Sequence, residues 1–297
     1  MKSIKNSGIA LIALLLIFAS CRKEVINPPT TKDITLNLTG LTNLGSDFVY
    51  EGWIIVGGAP KSTGTFTVDD AGVMSKSSFS VAIEDVDAAT KFVLTIEPKV
   101  DADPAPSATK YLAGDFAGNT ASLGIGPVGD FSAASGEYIL ATPTDGMMTN
   151  ETSGIWWVNP TGAAPVNGLV LPALSAGWKY EGWVVINGQP VSTGTFTNTS
   201  ATDDSDTYSG PNSLPAPNGA DGFFPGEDFL MNAPSGLSFP TDISGGKAVI
   251  SVEPYPDTNP KPFSLKPLVG DIPAGGMDHV LYQMNQNLDF PSGSVMR

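Results

Sequence analysis

One run of residues occurs twice in this chain, and that repetition constrains its fold more than any other feature. Tyr50-Glu51-Gly52-Trp53 returns as Tyr180-Glu181-Gly182-Trp183, and Ser62-Thr63-Gly64-Thr65-Phe66-Thr67 returns as Ser192-Thr193-Gly194-Thr195-Phe196-Thr197, both at an offset of 130. Across 50–67 and 180–197, 12 of 18 positions are identical, and Leu41 and Leu44 upstream match Leu171 and Leu174. A second block repeats at an offset of 156: Val93-Leu94-Thr95-Ile96-Glu97-Pro98 answers to Val249-Ile250-Ser251-Val252-Glu253-Pro254. Beyond it, Asp101, Lys110, Leu112 and Gly114 reappear as Asp257, Lys266, Leu268 and Gly270. A period this long means duplication of a folding unit, not a solenoid. The offsets differ by 156 − 130 = 26 residues, which fall in copy two within 199–228. That stretch is rich in Asp, Gly, Pro and Ser and predicts a long surface loop.

Inside each unit the pattern is that of strands. Phe48, Tyr50, Gly52, Ile54 and Val56 share one face, as do Trp178, Tyr180, Gly182, Val184 and Ile186, which makes that face the core side. Glu51 and Trp53 fall on the opposite face. Gly57-Gly58 and Asn187-Gly188 supply residues that tolerate positive φ, so a hairpin turns there and Thr-Gly-Thr-Phe-Thr returns. Phe92–Glu97 and Ala248–Glu253 are short runs each stopped by Pro. With 33 Gly and 25 Pro in 297 residues, and no sustained 3.6 period after the first twenty residues, long helices are disfavoured. The expectation is an all-β chain of two tandem homologous β-sandwich, immunoglobulin-like domains. Copy one spans 33–162 and copy two spans 163–297. Glu137–Gly146 and Ser153–Trp157 are expected to close copy one. His279–Tyr282 and Phe290–Val295 are expected to close copy two.

The amino terminus reads as an address. Lys2 and Lys5 precede an apolar run over Ile9–Ala19, too short to span a bilayer and of the length of a signal-peptide core. The run ends Phe18-Ala19-Ser20-Cys21, which resembles a bacterial lipoprotein signal over residues 1–20, with Phe18 where Leu is usual. The resemblance implies lipidation of Cys21, the chain's one cysteine, and a partnership with the membrane through that anchor. Residues 21–32 then form a tether. The implied location is the bacterial cell envelope, at the outer membrane.

The pattern Tyr-Glu-Gly-Trp, Gly-x-Pro-x-Ser-x-Gly-x-Phe, then an apolar strand ending Glu-Pro and a Pro-rich loop, resembles the extracytoplasmic domain of the anti-sigma-K factor family. The match covers about 40 residues of each copy. It implies fold and envelope setting. No cytoplasmic sigma-binding domain and no transmembrane helix accompany it, so no sigma-factor contact is expected.

Composition narrows the chemistry. Fifteen basic against thirty acidic residues give −15, which argues against nucleic acid as a partner. One His and one Cys exclude His-rich metal sites, multi-Cys zinc sites and any internal disulfide. Glu51 with Glu97, and Glu181 with Glu253, are the candidate acid–base pairs of a glycoside hydrolase. The simpler reading makes them hydrogen-bond acceptors for backbone at a corner. Trp53, Trp156, Trp157 and Trp183 are candidate sugar-stacking platforms or core residues. Asp203, Asp204 and Asp206 form an oxygen-rich stretch of the kind that takes Ca²⁺, but they lack the spacing of an EF-hand. His279 is the one imidazole open to a serine triad, and no Gly-x-Ser-x-Gly elbow accompanies it. The expected function is a non-enzymatic interaction or sensing module without a resident cofactor, binding an envelope protein or glycan at loops or at the seam between copies. The alternatives are a glycan-binding protein or hydrolase, and a purely structural envelope component.

Overall fold

The computed structural model describes residues 28–146, 149–211, 224–257 and 259–297. The signal segment and Cys21 lie outside the described residues. The first half carries β1 (Thr31–Thr39), β2 (Phe48–Val56), β3 (Ala59–Phe66), β4 (Ser78–Ala82), helix α1 (Ile83–Ala88), β5 (Ala89–Pro98), β6 (Lys110–Ala117) and β7 (Thr120–Leu123). There follow β8 (Ser135–Leu140), β9 (Gly154–Trp156) and the short β10 (Val158–Asn159), β11 (Val166–Asn167) and β12 (Leu169–Val170). The second half adds β13 (Trp178–Ile186), β14 (Gln189–Phe196), β15 (Gly226–Asp228), β16 (Lys247–Pro254), β17 (Leu268–Asp271), β18 (Tyr282–Gln286) and β19 (Ser292–Met296). The chain is nearly all β, in two large antiparallel sheets. No helix among the described residues is long and apolar enough to cross a membrane.

The two sheets correspond strand for strand. One runs β3-β2-β5-β6-β7-β19-β1-β4 and the other β14-β13-β16-β17-β18-β8-β9-β15, with β12 also paired to β8. In each sheet the two end strands approach one another, β3 against β4 and β14 against β15. The turn residues behave as the sequence predicts: Gly57, Gly58, Asn187 and Gly188 all have positive φ. Their hairpins carry a bulge at the same place, between Gly52 and Trp53 and between Gly182 and Trp183. A repeated tether holds each unit's entry. The Tyr50 hydroxyl donates to Thr42 O (2.9 Å) and the Tyr180 hydroxyl to Pro172 O (2.7 Å), each eight residues upstream.

The closing strands correct the sequence expectation. β8 does not close the first half; it lies between β18 and β9 in the second sheet. Reciprocally, β19 lies between β7 and β1 in the first sheet. Both begin Ser-Gly, as Ser135-Gly136 and Ser292-Gly293; close approach of backbone requires the glycine at 293, and at 136 the nearest neighbours are side-chain ends. A Cβ on Gly293 would stand 2.2 Å from Asn37 O, and one on Gly136 would stand 2.9 Å from Leu268 and Met284. Side-chain volume matches the exchange. In the first sheet Phe92 fills the space over Gly52, 2.8 Å from where its Cβ would be. The residue at Phe92's repeat position is Ala248, and there Trp157, from the segment following β9, fills the space over Gly182 at 2.4 Å. Deep burial of Tyr138, Ile139, Leu140 and Trp157 follows. One contiguous apolar core runs through both sheets.

Arg297 fastens the exchanged end. Its guanidinium donates to Val86 O (2.7 Å) and Ala89 O (2.6 Å) at the end of α1 and sits 4.4 Å from the Phe116 ring centroid. The copy-two insertion also differs from a plain surface loop. Its far end forms β15, pairs with β9, and buries Phe224, Glu227 and Asp228.

Candidate functional site

Strand alternation puts the repeated glutamates, Glu51 and Glu181 on β2 and β13 and Glu97 and Glu253 on β5 and β16, on the sheet face away from the main core, but that face is not open. Trp53 and Trp183 on that face are themselves buried, at positions paired with Val93 and Val249 of the neighbouring strands. Each indole N–H donates to a hydroxyl across the sheet, Trp53 to Thr95 Oγ1 (2.9 Å) and Trp183 to Ser251 Oγ (2.8 Å). Those hydroxyls donate in turn to Glu97 and Glu253. The same Oε1 atoms accept a backbone N–H from the Pro-rich loop, Ser107 N to Glu97 and Phe263 N to Glu253, both at 2.9 Å. Ser107 and Phe263 are again repeat equivalents. A second pair of contacts repeats beside them: Ser62 donates to Glu51 and Ser192 to Glu181, while Gly64 N and Gly194 N each donate to their serine at 3.1 Å.

The duplicated network therefore fastens strand, hairpin and loop together. Glu97, Glu253 and Glu181 are buried at 1 %, 2 % and 7 % exposure, and Glu51 is half-buried. Burial dominates the titration of Glu181 and Glu253. It pushes Glu181 to about 7 and Glu253 to about 8, against the opposing pull of the Ser192 and Ser251 hydroxyls, with neighbouring carboxylates adding to the rise. Burial also raises Glu51, helped by the charges of Glu97 and Asp101.

In copy two the network gains a third member. Oxygens of Glu181, Glu253 and Asp257 all lie within 4.8 Å of one another, the one such group among the described residues. Asp257 sits in the Pro-rich loop after β16, and Asp101 occupies the same place after β5. Both make the same local turn, accepting a backbone N–H two residues on, from Asn259 and Asp103. The repeat made these aspartates visible in the sequence; an irregular loop gave no period from which to aim them at the glutamates.

The other candidates separate. Trp156 and Trp157 are buried, and Trp156 donates its indole N–H to Asp228 (2.8 Å). All four candidate tryptophans thus lack a solvent-facing ring. Asp203, Asp204 and Asp206 do not converge. Asp203 accepts Gly226 N (2.8 Å) and Ser205 N (3.1 Å), and Asp204 accepts Thr195 N (2.7 Å) and pairs with Lys179 (3.1 Å). These contacts pin the insertion to β14 and β15. His279 is exposed and pairs with its neighbour Asp278 (2.9 Å).

The two halves meet along aromatic and polar contacts. Tyr111 packs on Trp178 and Phe263 at 5.6 and 5.5 Å between ring centroids, and its hydroxyl is 2.9 Å from Ser264 Oγ. Trp178 Nε1 donates to Lys110 O at 3.2 Å. Beside this seam lies an open groove of about 510 Å³ between loops of both halves, with Leu41, Asn43, Asp69 and Asp70 on one side and Asn259 and Lys261 on the other. A narrower apolar pocket lined by Phe48, Ile96 and Phe263 adjoins it and reaches Asp257. No sequence pattern marks the groove, because its walls come from residues more than 180 positions apart.

No protein-family model matches the chain, and no curated protein and no solved structure matches it either.

Proposed function

We propose that the chain is a lipid-anchored component of the bacterial cell envelope, held through Cys21. It works as a non-enzymatic interaction or sensing module built from two sandwich-type units related to the extracytoplasmic anti-sigma-K domain. Its ligand, an envelope protein or glycan, occupies the seam groove. The observation that supports this most is the groove itself, since ligand sites favour concave surfaces where two units meet and loops from both converge. Its polar walls offer Asn43, Asp69, Asp70, Asn259 and Lys261 for hydrogen bonding. The net charge of −15 favours cationic or neutral partners over polyanions.

The arrangement of the glutamates argues against hydrolysis. A glycosidase needs two carboxyl groups flanking an open sugar site. Here three of the four are buried, and all four accept internal hydrogen bonds. The test is site-specific photo-crosslinking in the cells that make the protein. Probes at Asn43 and Asn259 should give discrete adducts, and a probe at the remote exposed Lys61 should give none. Absence of adducts from both groove positions, or the same adducts from Lys61, would remove the groove reading.

A further inference from the structure

We infer that the ligand of the seam groove is an extended peptide segment that presents a cationic side chain beside a small aliphatic one. The assignment rests on the seam-groove reading and names the ligand class of that site. The groove holds about 510 Å³, within the roughly 300–1,000 Å³ of ligand sites. Its two walls carry opposite chemistry. Asp69 and Asp70 form an acceptor wall in the turn after β3, and both are exposed. Asp69 Oδ1 accepts Ala71 N (2.9 Å) and Val73 N (2.8 Å), and Asp70 Oδ1 accepts Asn43 Nδ2 (2.8 Å). Those bonds set both carboxylates in place before a ligand arrives, which lowers the ordering cost of binding. Among the described residues no Lys or Arg forms a salt bridge to either. The other wall offers donors, Asn259 Nδ2 and Lys261 Nζ, and Lys261 N fixes its turn by donating to Asn259 Oδ1 (3.1 Å).

An extended peptide meets both walls at once. Its carbonyls accept from Asn259 and Lys261, and a Lys or Arg side chain donates to Asp69 and Asp70. The adjoining apolar pocket between Leu44, Phe48, Ile96 and Phe263 takes the neighbouring side chain. That pocket holds about 40 Å³, where one water needs about 10–15 Å³; a side chain of the size of Val fits, and an indole or a sugar ring does not. Among the described residues no aromatic ring lines the groove itself, so a glycan finds no face to stack on. The repeat separates these side chains from any structural demand. The positions equivalent to Asp69 and Asp70 at the offset of 130 are Thr199 and Ser200, and those equivalent to Asn259 and Lys261 at the offset of 156 are Asp103 and Ala105. The unit folds without the chemistry of either wall, so folding does not account for it.

The test is fluorescence anisotropy on the full mature chain with a fluorescein-labelled peptide of three Lys-Val units, in about 150 mM salt, where charges more than about 8 Å away are screened. The peptide should bind saturably. Unlabelled peptides of three Glu-Val or three Lys-Ser units, and a neutral hexasaccharide of N-acetylglucosamine, should compete far more weakly than the unlabelled Lys-Val peptide. Asp69→Asn and Asp70→Asn keep the accepting Oδ1 and remove only the charge. Each should weaken binding about two- to fivefold, and both together on the order of tenfold. Asp242 is exposed and lies beside Asn187 at the far end of β13, so Asp242→Asn should change binding less than about twofold. The peptide assignment fails if the Lys-Val peptide does not bind, if the Glu-Val peptide, the Lys-Ser peptide or the hexasaccharide competes as well as it does, or if the double asparagine variant binds as the parent does. Any of these results alongside discrete crosslinks from Asn43 and Asn259 in cells would remove the peptide assignment and leave the groove reading standing, whereas absence of those crosslinks would remove both.

Discussion

Replacing Trp157 by Ala tests how the second sheet is filled. Trp157 is fully buried, and its ring occupies the space over Gly182 that Phe92 occupies over Gly52. Truncating a buried Trp or Phe to Ala costs about 3–5 kcal/mol. Trp157 Nε1 is buried without a partner, so its removal relieves an offsetting penalty of about 1 kcal/mol. The net expectation is a loss of about 2–4 kcal/mol. At roughly 2–4 °C per kcal/mol for a chain of this size, that is a fall in Tm on the order of 10 °C. Urea unfolding followed by far-ultraviolet circular dichroism measures it without relying on indole fluorescence. Adding Ala248→Phe restores the first sheet's arrangement and should recover more than half of the loss, whereas Trp157→Phe, which removes the unpaired N–H and keeps a ring, should cost under about 1.5 kcal/mol. A loss below about 1 kcal/mol for Trp157→Ala, or no recovery from Ala248→Phe, would refute the volume argument.

Three further outcomes are expected. Folding stability should be greatest near pH 5 and fall towards pH 8.5. Burial raises Glu181, Glu253, Glu227 and Asp228 to about 7, 8, 8 and 6, so the native state holds protons that the unfolded chain has released, and it loses that advantage as pH rises through those values; Glu227→Gln should flatten the slope in a pH series of urea melts. Gly52→Ala should destabilise, since its Cβ would stand 2.5 Å from Thr63 Oγ1 and 2.8 Å from Phe92, by about 1–3 kcal/mol in the same assay. Deleting residues 287–297 should expose the β7 and β1 edges of the first sheet and raise hydrogen exchange in 31–39 and 120–123, far from the deletion in sequence.

Much of the fold is legible in the residues because local rules decide it. Gly57-Gly58 and Asn187-Gly188 fix the hairpins through φ, and alternation around Tyr50 and Tyr180 fixes the core face. Alternation put Trp53 and Trp183 on the face opposite the core side but could not show that this face is covered. Partner choice is not local either. Ser135-Gly136 and Ser292-Gly293 present the same start to either sheet, and the small Ala248 that goes with Trp157 over Gly182 is a volume relation across 91 positions. The duplicated glutamates were visible as a repeat. Their hydroxyl and backbone partners depend on loops whose paths no period describes.

Reciprocal exchange of β8 and β19 is the feature on which the architecture rests, and cysteine pairing tests it directly. In a Cys21→Ser background, Asn37→Cys with Ser294→Cys, and separately Glu137→Cys with Gln283→Cys, place cysteines at directly paired positions. Mild oxidation should close both disulfides within single chains, as read by peptide mapping on the monomer. Failure of either pair to close, or its closure between chains alone, would contradict the exchange.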